Sequence, residues 1–115
     1  MSDLVISFVV PAFNEEALIG SCLAAIRAEI GHTDCAAEII VVDNNSTDGT
    51  RRIASSFPGV VVVDEPQRGL VAARRAGCVA AAGQLIANID ADTILPEGWC
   101  ARHSKNSPAL PSWSR

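Results

Sequence analysis

The chain has 115 residues, 49% hydrophobic and 19% charged, enough apolar material for one packed domain and too much for a disordered tail. A net charge of −4 argues against binding nucleic acid through a broad basic surface. The acids are concentrated in the body, because the charged residues after Gly98 are Arg102, Lys105 and Arg115. Asp3 stands where a signal peptide carries a basic residue, Pro11 interrupts the first apolar run, and no run approaches the roughly 18 apolar residues of a membrane span. Cys22, Cys35, Cys78 and Cys100 form no C-x-x-C pair, so ordinary thiols in a reducing, cytoplasmic compartment are expected.

The first strand is expected over residues 4–10, an almost continuous apolar run. Leu18, Cys22, Ile26 and Ile30 then step by four, with Ile19 and Leu23 widening the stripe of a first helix. Asn14 is its expected N-cap, with Glu15 and Glu16 in the first turn. A second strand follows over 38–43, and Thr47 or Asp48 caps a short helix that buries Ile53 and Phe57. Residues 60–64 form a third strand. The third helix, 70–82, is alanine-rich, and Ala73, Gly77 and Ala80 give it a small face that can approach a sheet closely. A fourth strand is expected over 85–90. From Cys100 to Arg115 an irregular tail replaces the apolar pattern, and the abrupt change suggests a domain cut short.

Strands without polar alternation, separated by helices and short links, predict an α/β fold with a mostly parallel sheet and right-handed crossovers. Ligands then bind outside the carboxyl edge of the sheet. Asp43, Asp64 and Asp90 each end a strand there, and Asp92 follows two residues after Asp90. Asp64, followed by Glu65-Pro66, reads as a turn residue. Asp90-Ala91-Asp92 can present two carboxylates to one cleft, a donor set for Mg²⁺ or Mn²⁺ holding a diphosphate. The loop Pro11-Ala12-Phe13-Asn14-Glu15 has no G-x-G-x-x-G, which removes a nicotinamide dehydrogenase. No G-K-[ST] follows any strand, which removes a P-loop nucleotidase.

Val9-Val10-Pro11-Ala12-Phe13-Asn14-Glu15-Glu16, the run from Val41-Val42-Asp43 to Asp48-Gly49-Thr50, Gly69 followed by Ala73-Arg74-Arg75-Ala76-Gly77, and Asp90-Ala91-Asp92 occur in that order. Together they resemble family-2 glycosyltransferases of the GT-A fold, over roughly residues 4–98. The resemblance implies a three-layer α/β/α arrangement with strand order 3-2-1-4. Residues 1–99 would be the N-terminal, nucleotide-sugar-binding part of the domain and 100–115 the tail. It implies that Pro11, Ala12 and Glu15 lie beside the nucleoside and that Asp43 recognises the base. Arg74 lies near the nucleotide, Asp90 handles ribose and diphosphate, and Asp92 with Asp90 holds Mg²⁺ or Mn²⁺. Arg75 stands where the family has Asn.

Asn45, Ser46 and Asp48 are read as turn and cap residues, and Glu16 as a helix-dipole residue. Arg68 is open between a solvated loop charge and a phosphate contact. The function implied is transfer of a sugar from a nucleoside-diphosphate donor to an acceptor hydroxyl. The alternative is a truncated, non-catalytic nucleotide-sugar-binding fragment, since the family's general base lies beyond the D-x-D strand. The fourth strand is expected to have an open flank through which the chain self-associates.

Overall fold

The computed structural model describes residues 5–33 and 36–96. β1 (Ile6–Ala12), β2 (Ala37–Asp43), β3 (Val60–Asp64) and β4 (Leu85–Asn88) form one sheet in the order β3-β2-β1-β4. Every pairing is parallel. Ile6 to Ala12 run beside Ala37 to Asp43, Ile6 to Val9 beside Leu85 to Asn88, and Ile39 to Asp43 beside Val60 to Asp64. The expected strand order and the α/β class are both observed.

The sheet is buried on two faces because helices cover both. On one face Phe8 and Val10 of β1 and Ile39 and Val41 of β2 pack with Ile19, Cys22, Leu23 and Ile26 of α1 (Ile19–Thr33) and Ala54 of α2 (Thr50–Ser55). Ile53 and Phe57 join this cluster, as expected. On the other face Val9, Ile40 and Val42 meet Ala73 of α3 (Leu70–Ala80). The small face of α3 allows that approach: a Cβ added at Gly77 would stand 2.2 Å from Val9 Cγ1. Ala80, expected on this face, is exposed at the helix end.

β1 runs through Pro11, past its expected end. Val9 O accepts from Ile89 N at 2.9 Å, so Pro11, two residues on, turns its nitrogen to the same side, where pairing with β4 has ended at Val9. The missing N–H therefore breaks no ladder bond. α1 begins at Ile19 and its first turn contains no acid. Asn14 is not its N-cap: its φ is +52°, and the turn starts at Glu15, whose carbonyl accepts from Leu18 N and Ile19 N at 3.0 and 2.8 Å. Leu18 consequently lies off the buried stripe, 47% exposed. β4 stops at Asn88, which leaves Asp90 in the following turn, where its carbonyl accepts from Thr93 N at 2.9 Å. The tail expected over 100–115 lies outside the described residues.

Candidate functional site

Parallel pairing brings the carboxyl ends of all four strands to one rim, and the loops leaving that rim are tied together. Asn14 and Glu16, after β1, bind the loop after β2. Asn14 Oδ1 accepts from Thr47 N at 2.7 Å, and its own N donates to Ser46 Oγ at 3.0 Å. Glu16 Oε1 accepts from Gly49 N at the start of α2, so Glu16 serves the second helix instead of the dipole of the first. Asp48 sits one residue ahead of the α2 N-cap, Gly49, and accepts from Thr50 N at 2.9 Å and from the Thr50 hydroxyl. The Thr50 hydroxyl, helped by the backbone N–H groups, holds the Asp48 carboxyl below its usual range. The expected capping role moves: Gly49 is the α2 N-cap with no side-chain cap bond, while Ser46 and Asp48 also accept from the loop after β1 and Asn45, at a φ of +67°, donates to Pro66 O.

A cavity of about 460 Å³ opens at this rim, within the range that takes a nucleotide-sized ligand. Pro11, Ala12, Phe13 and Glu15 form its β1 side, and Asp90, Ala91 and Asp92 its β4 side. Asn44, Arg68, Gly69, Leu70 and Ala73 close the remaining wall at the entry to α3. The structure therefore brings together Pro11, Ala12, Glu15, Asp90 and Asp92 of the expected site. Asp43 and Arg74 do not line the cavity. Asp43 is buried; its Oδ1 accepts from Ser46 N at 3.1 Å and its Oδ2 lies 4.0 Å from Arg51 Nη1. Arg51 also pairs with Asp64, the last residue of β3. Arg74 is exposed on α3, one residue beyond cavity-lining Ala73.

Cys22 reports on the field around the acids. Its thiol donates to the Asp90 carbonyl at 3.6 Å. Burial, followed by the negative charges of Asp92, Asp90 and Glu15, pushes it from its ordinary 9.0 up to about 11. The three carboxylates thus act on one place. Among the described residues, no group of three or more His, Cys, Asp or Glu side chains could hold a metal ion. Asp90 and Asp92 nevertheless fit a hard divalent cation, since both are exposed oxygen donors on the cavity wall. Mg²⁺-type sites use one or two carboxylates and complete the shell with water and substrate phosphate.

Residues 7–105 match the sequence pattern of glycosyl transferase family 2. The chain belongs to that family. An uncharacterized glycosyltransferase of Mycobacterium bovis is 40% identical over 98 residues, covering 85% of this chain and 41% of the relative. Glucosyl-3-phosphoglycerate synthase from Mycobacterium tuberculosis, solved with Mn²⁺, UDP and glucosyl-3-phosphoglycerate, superposes with a TM-score of 0.70 at 31% identity. The match covers 86% of this chain and 37% of that one. A mannosyltransferase from Pyrobaculum calidifontis, solved with GDP-Man and Mn²⁺, gives a TM-score of 0.69 at 31% identity, with coverages of 84% and 32%. This family-2 chain has the GT-A fold of these neighbours and spans well under half the length of the curated relatives it matches. Among the described residues, no helix is long and apolar enough to cross a membrane.

The wall residues not assigned from sequence include Phe13, Asn44 and Arg68. Phe13 stands inside the P-A-F-N-E run and Asn44 directly follows Asp43, so both lay within the runs that carried the resemblance. Arg68 precedes Gly69, whose φ of +121° turns the chain into α3.

Proposed function

We propose that this chain forms the nucleotide-sugar-binding part of a glycosyltransferase, which passes a sugar from a nucleoside-diphosphate donor to an acceptor hydroxyl. The observation carrying the reading is the shared cavity: Asp90-Ala91-Asp92 and the Pro11–Phe13 loop line one space of nucleotide size. Asp92 and Asp90 would hold Mg²⁺ or Mn²⁺. Pro11, Ala12 and Glu15 would border the nucleoside, and Asp90 would also meet the ribose. A divalent cation bound there offsets the charge of the diphosphate as it leaves. Asp43, in this reading, accepts from the base, which requires its carboxylate to be shared with the Ser46 amide. Arg74 would join the nucleotide only through its long side chain.

The solved relatives with Mn²⁺ and a uridine or guanosine nucleotide support the choice of ligands. The test is titration calorimetry of the 115-residue chain with UDP and GDP, in Mn²⁺ and in chelator. Binding is expected only with the metal. Asp92→Asn should weaken metal-dependent binding, and Asp43→Ala should weaken nucleoside recognition with or without metal, each by roughly ten- to a hundredfold. Equal affinity in chelator and in Mn²⁺ would defeat the metal assignment. Release of nucleotide from a donor sugar in the presence of acceptor alcohols separates a transferase from a binding module.

A further inference from the structure

We propose that Ser7 and Glu38 are positioning residues of the metal site: at the amino edge of the sheet they fix the register of β4, and that register sets where Asp90 and Asp92 stand. The assignment rests on the nucleotide reading above and extends it to two residues on the far side of the sheet from the cavity.

The apolar pattern of β4 sets its register only weakly. The strand has four residues and, among the described residues, pairs with β1 alone. Leu85 and Ala87 pack with the α1 cluster and Ile86 with the α3 cluster. Both faces are therefore apolar, and a slip by one residue exposes little extra apolar surface. The observed register also leaves Asn88 Oδ1 buried with no hydrogen-bond partner among the described residues, so Asn88 does not select it.

A polar chain supplies what the pattern lacks. Ser7 of β1 and Glu38 of β2 are register partners, and Val9 and Ile40, two residues on, place them on the α3 face. Ser7 is fully buried, and its hydroxyl donates to Glu38 Oε2 at 2.6 Å. The same carboxylate oxygen accepts from Ala82 N at 2.7 Å, and Ser7 Oγ accepts from Gly83 N at 2.8 Å. Two consecutive amides of the link from α3 to β4 are thereby tied to β1 and β2, just before Leu85 pairs with Ile6. A Cβ at Gly83 would stand 2.7 Å from Ser7 Oγ and 2.8 Å from Ile6 C. A slip by one residue would bring Ala82 or Gln84, each with a side chain, to the place that only a glycine fits.

The consequence at the other end of β4 is large. A one-residue slip moves a strand by about 3.3 Å and turns its side chains to the opposite face. Ile89 N still bonds to Val9 O at 2.9 Å, so Asp90 and Asp92 follow any shift of the strand. That displacement exceeds the roughly 2 Å length of a Mg²⁺–oxygen bond. A brace that only added stability would leave the acids where they are.

The experiment measures Mn²⁺-dependent UDP binding by calorimetry, with backbone amide NMR spectra, at a temperature where circular dichroism shows each chain folded. The chains are the wild type, Ser7→Ala, Glu38→Ala, Glu38→Gln and a control, Phe57→Ala, which loosens the α1 and α2 side of the sheet. Ser7→Ala and Glu38→Ala are expected to lose roughly tenfold or more in affinity. Their β4 amides should be doubled or broadened by a second register. Glu38→Gln keeps an acceptor oxygen and should stay within about threefold of the wild type. Phe57→Ala should melt earlier yet bind as the wild type does. Glu38 is half-buried, so Glu38→Ala carries the test if Ser7→Ala does not fold. Wild-type affinity with a single set of β4 amides in Glu38→Ala, or an equal loss of affinity in Phe57→Ala, would overturn the assignment and leave the nucleotide reading intact. Failure of the wild-type chain to bind UDP or GDP would remove the nucleotide reading, while the β4 amides would still report whether Ser7 and Glu38 fix the register.

Discussion

Replacing Asn44 by Ala removes three hydrogen bonds at once, to Glu65 O, Gln67 O and Gly69 N. Each bond of this kind nets about 0.5–1.5 kcal/mol, and more if its partner is left buried and unsatisfied. Here the partners sit in a loop where Gln67 and Gly69 are exposed and Glu65 is half-buried, so water can replace the side chain. The lower half of the range applies, and the expected loss is about 2 kcal/mol. With the urea slope of a small domain, about 1–2 kcal/mol/M, the unfolding midpoint should fall by about 1–2 M. Asn44→Asp keeps an acceptor for Gly69 N but turns a negative oxygen toward two carbonyls, so at neutral pH it should cost at least as much. Amide hydrogen exchange at Gly69 should accelerate in the Ala variant and stay slower in the Asp variant. A stability change below about 0.5 kcal/mol, or unaltered Gly69 exchange, would refute the claim that Asn44 clamps this loop.

Gly77→Ala should destabilise the chain by about 1–3 kcal/mol despite its better helix propensity, because its methyl would meet Val9 Cγ1 at 2.2 Å. Thermal denaturation measures the loss, and adding Val9→Ala should recover part of it. Thr50→Val deletes the hydroxyl that holds Asp48 low, so the Asp48 carboxyl followed by NMR should titrate closer to 3.8. The sign is that of a depressed acid: its contribution is present above the ordinary carboxylate range and is lost as pH falls through the lowered value. Iodoacetamide at pH 8 should modify Cys78 well before Cys22 in peptide-mapped mass spectra, because Cys22 is buried with its thiol pushed up to about 11.

Most of the fold was legible because two-sided burial leaves an unambiguous pattern. Strands such as Ile6–Ala12 and the core of Ala37–Asp43 read as apolar runs, and α/β alternation leaves few topologies to choose from. The errors fall at element ends, where tertiary partners decide. Asn14 has the chemistry of an N-cap, but the nearest donor for its side chain is Thr47 N, in a loop 33 residues away in sequence. Glu16 has the chemistry of a helix-dipole residue, yet it reaches the Gly49 amide. No local rule contains either partner, because both depend on β1 and β2 ending side by side, with Ala12 opposite Asp43.

The site shows the same limit with a functional consequence. Resemblance pointed to an arginine at the start of α3, and Arg74 has the right type and the right neighbours in sequence. Helical geometry then turns it away: each residue advances about 100° around the axis, so the step from Ala73, buried against the sheet and lining the cavity, carries Arg74 outward. Arg68 precedes the helix and escapes that constraint. Gly69, at a φ of +121°, lets the loop bend over the rim, and Asn44 holds the bend. A family pattern can nominate a charge, but the register of the strands and the phase of the helix decide which side chain delivers it. In this chain they leave Arg68, not Arg74, among the residues that line the cavity with Asp90 and Asp92.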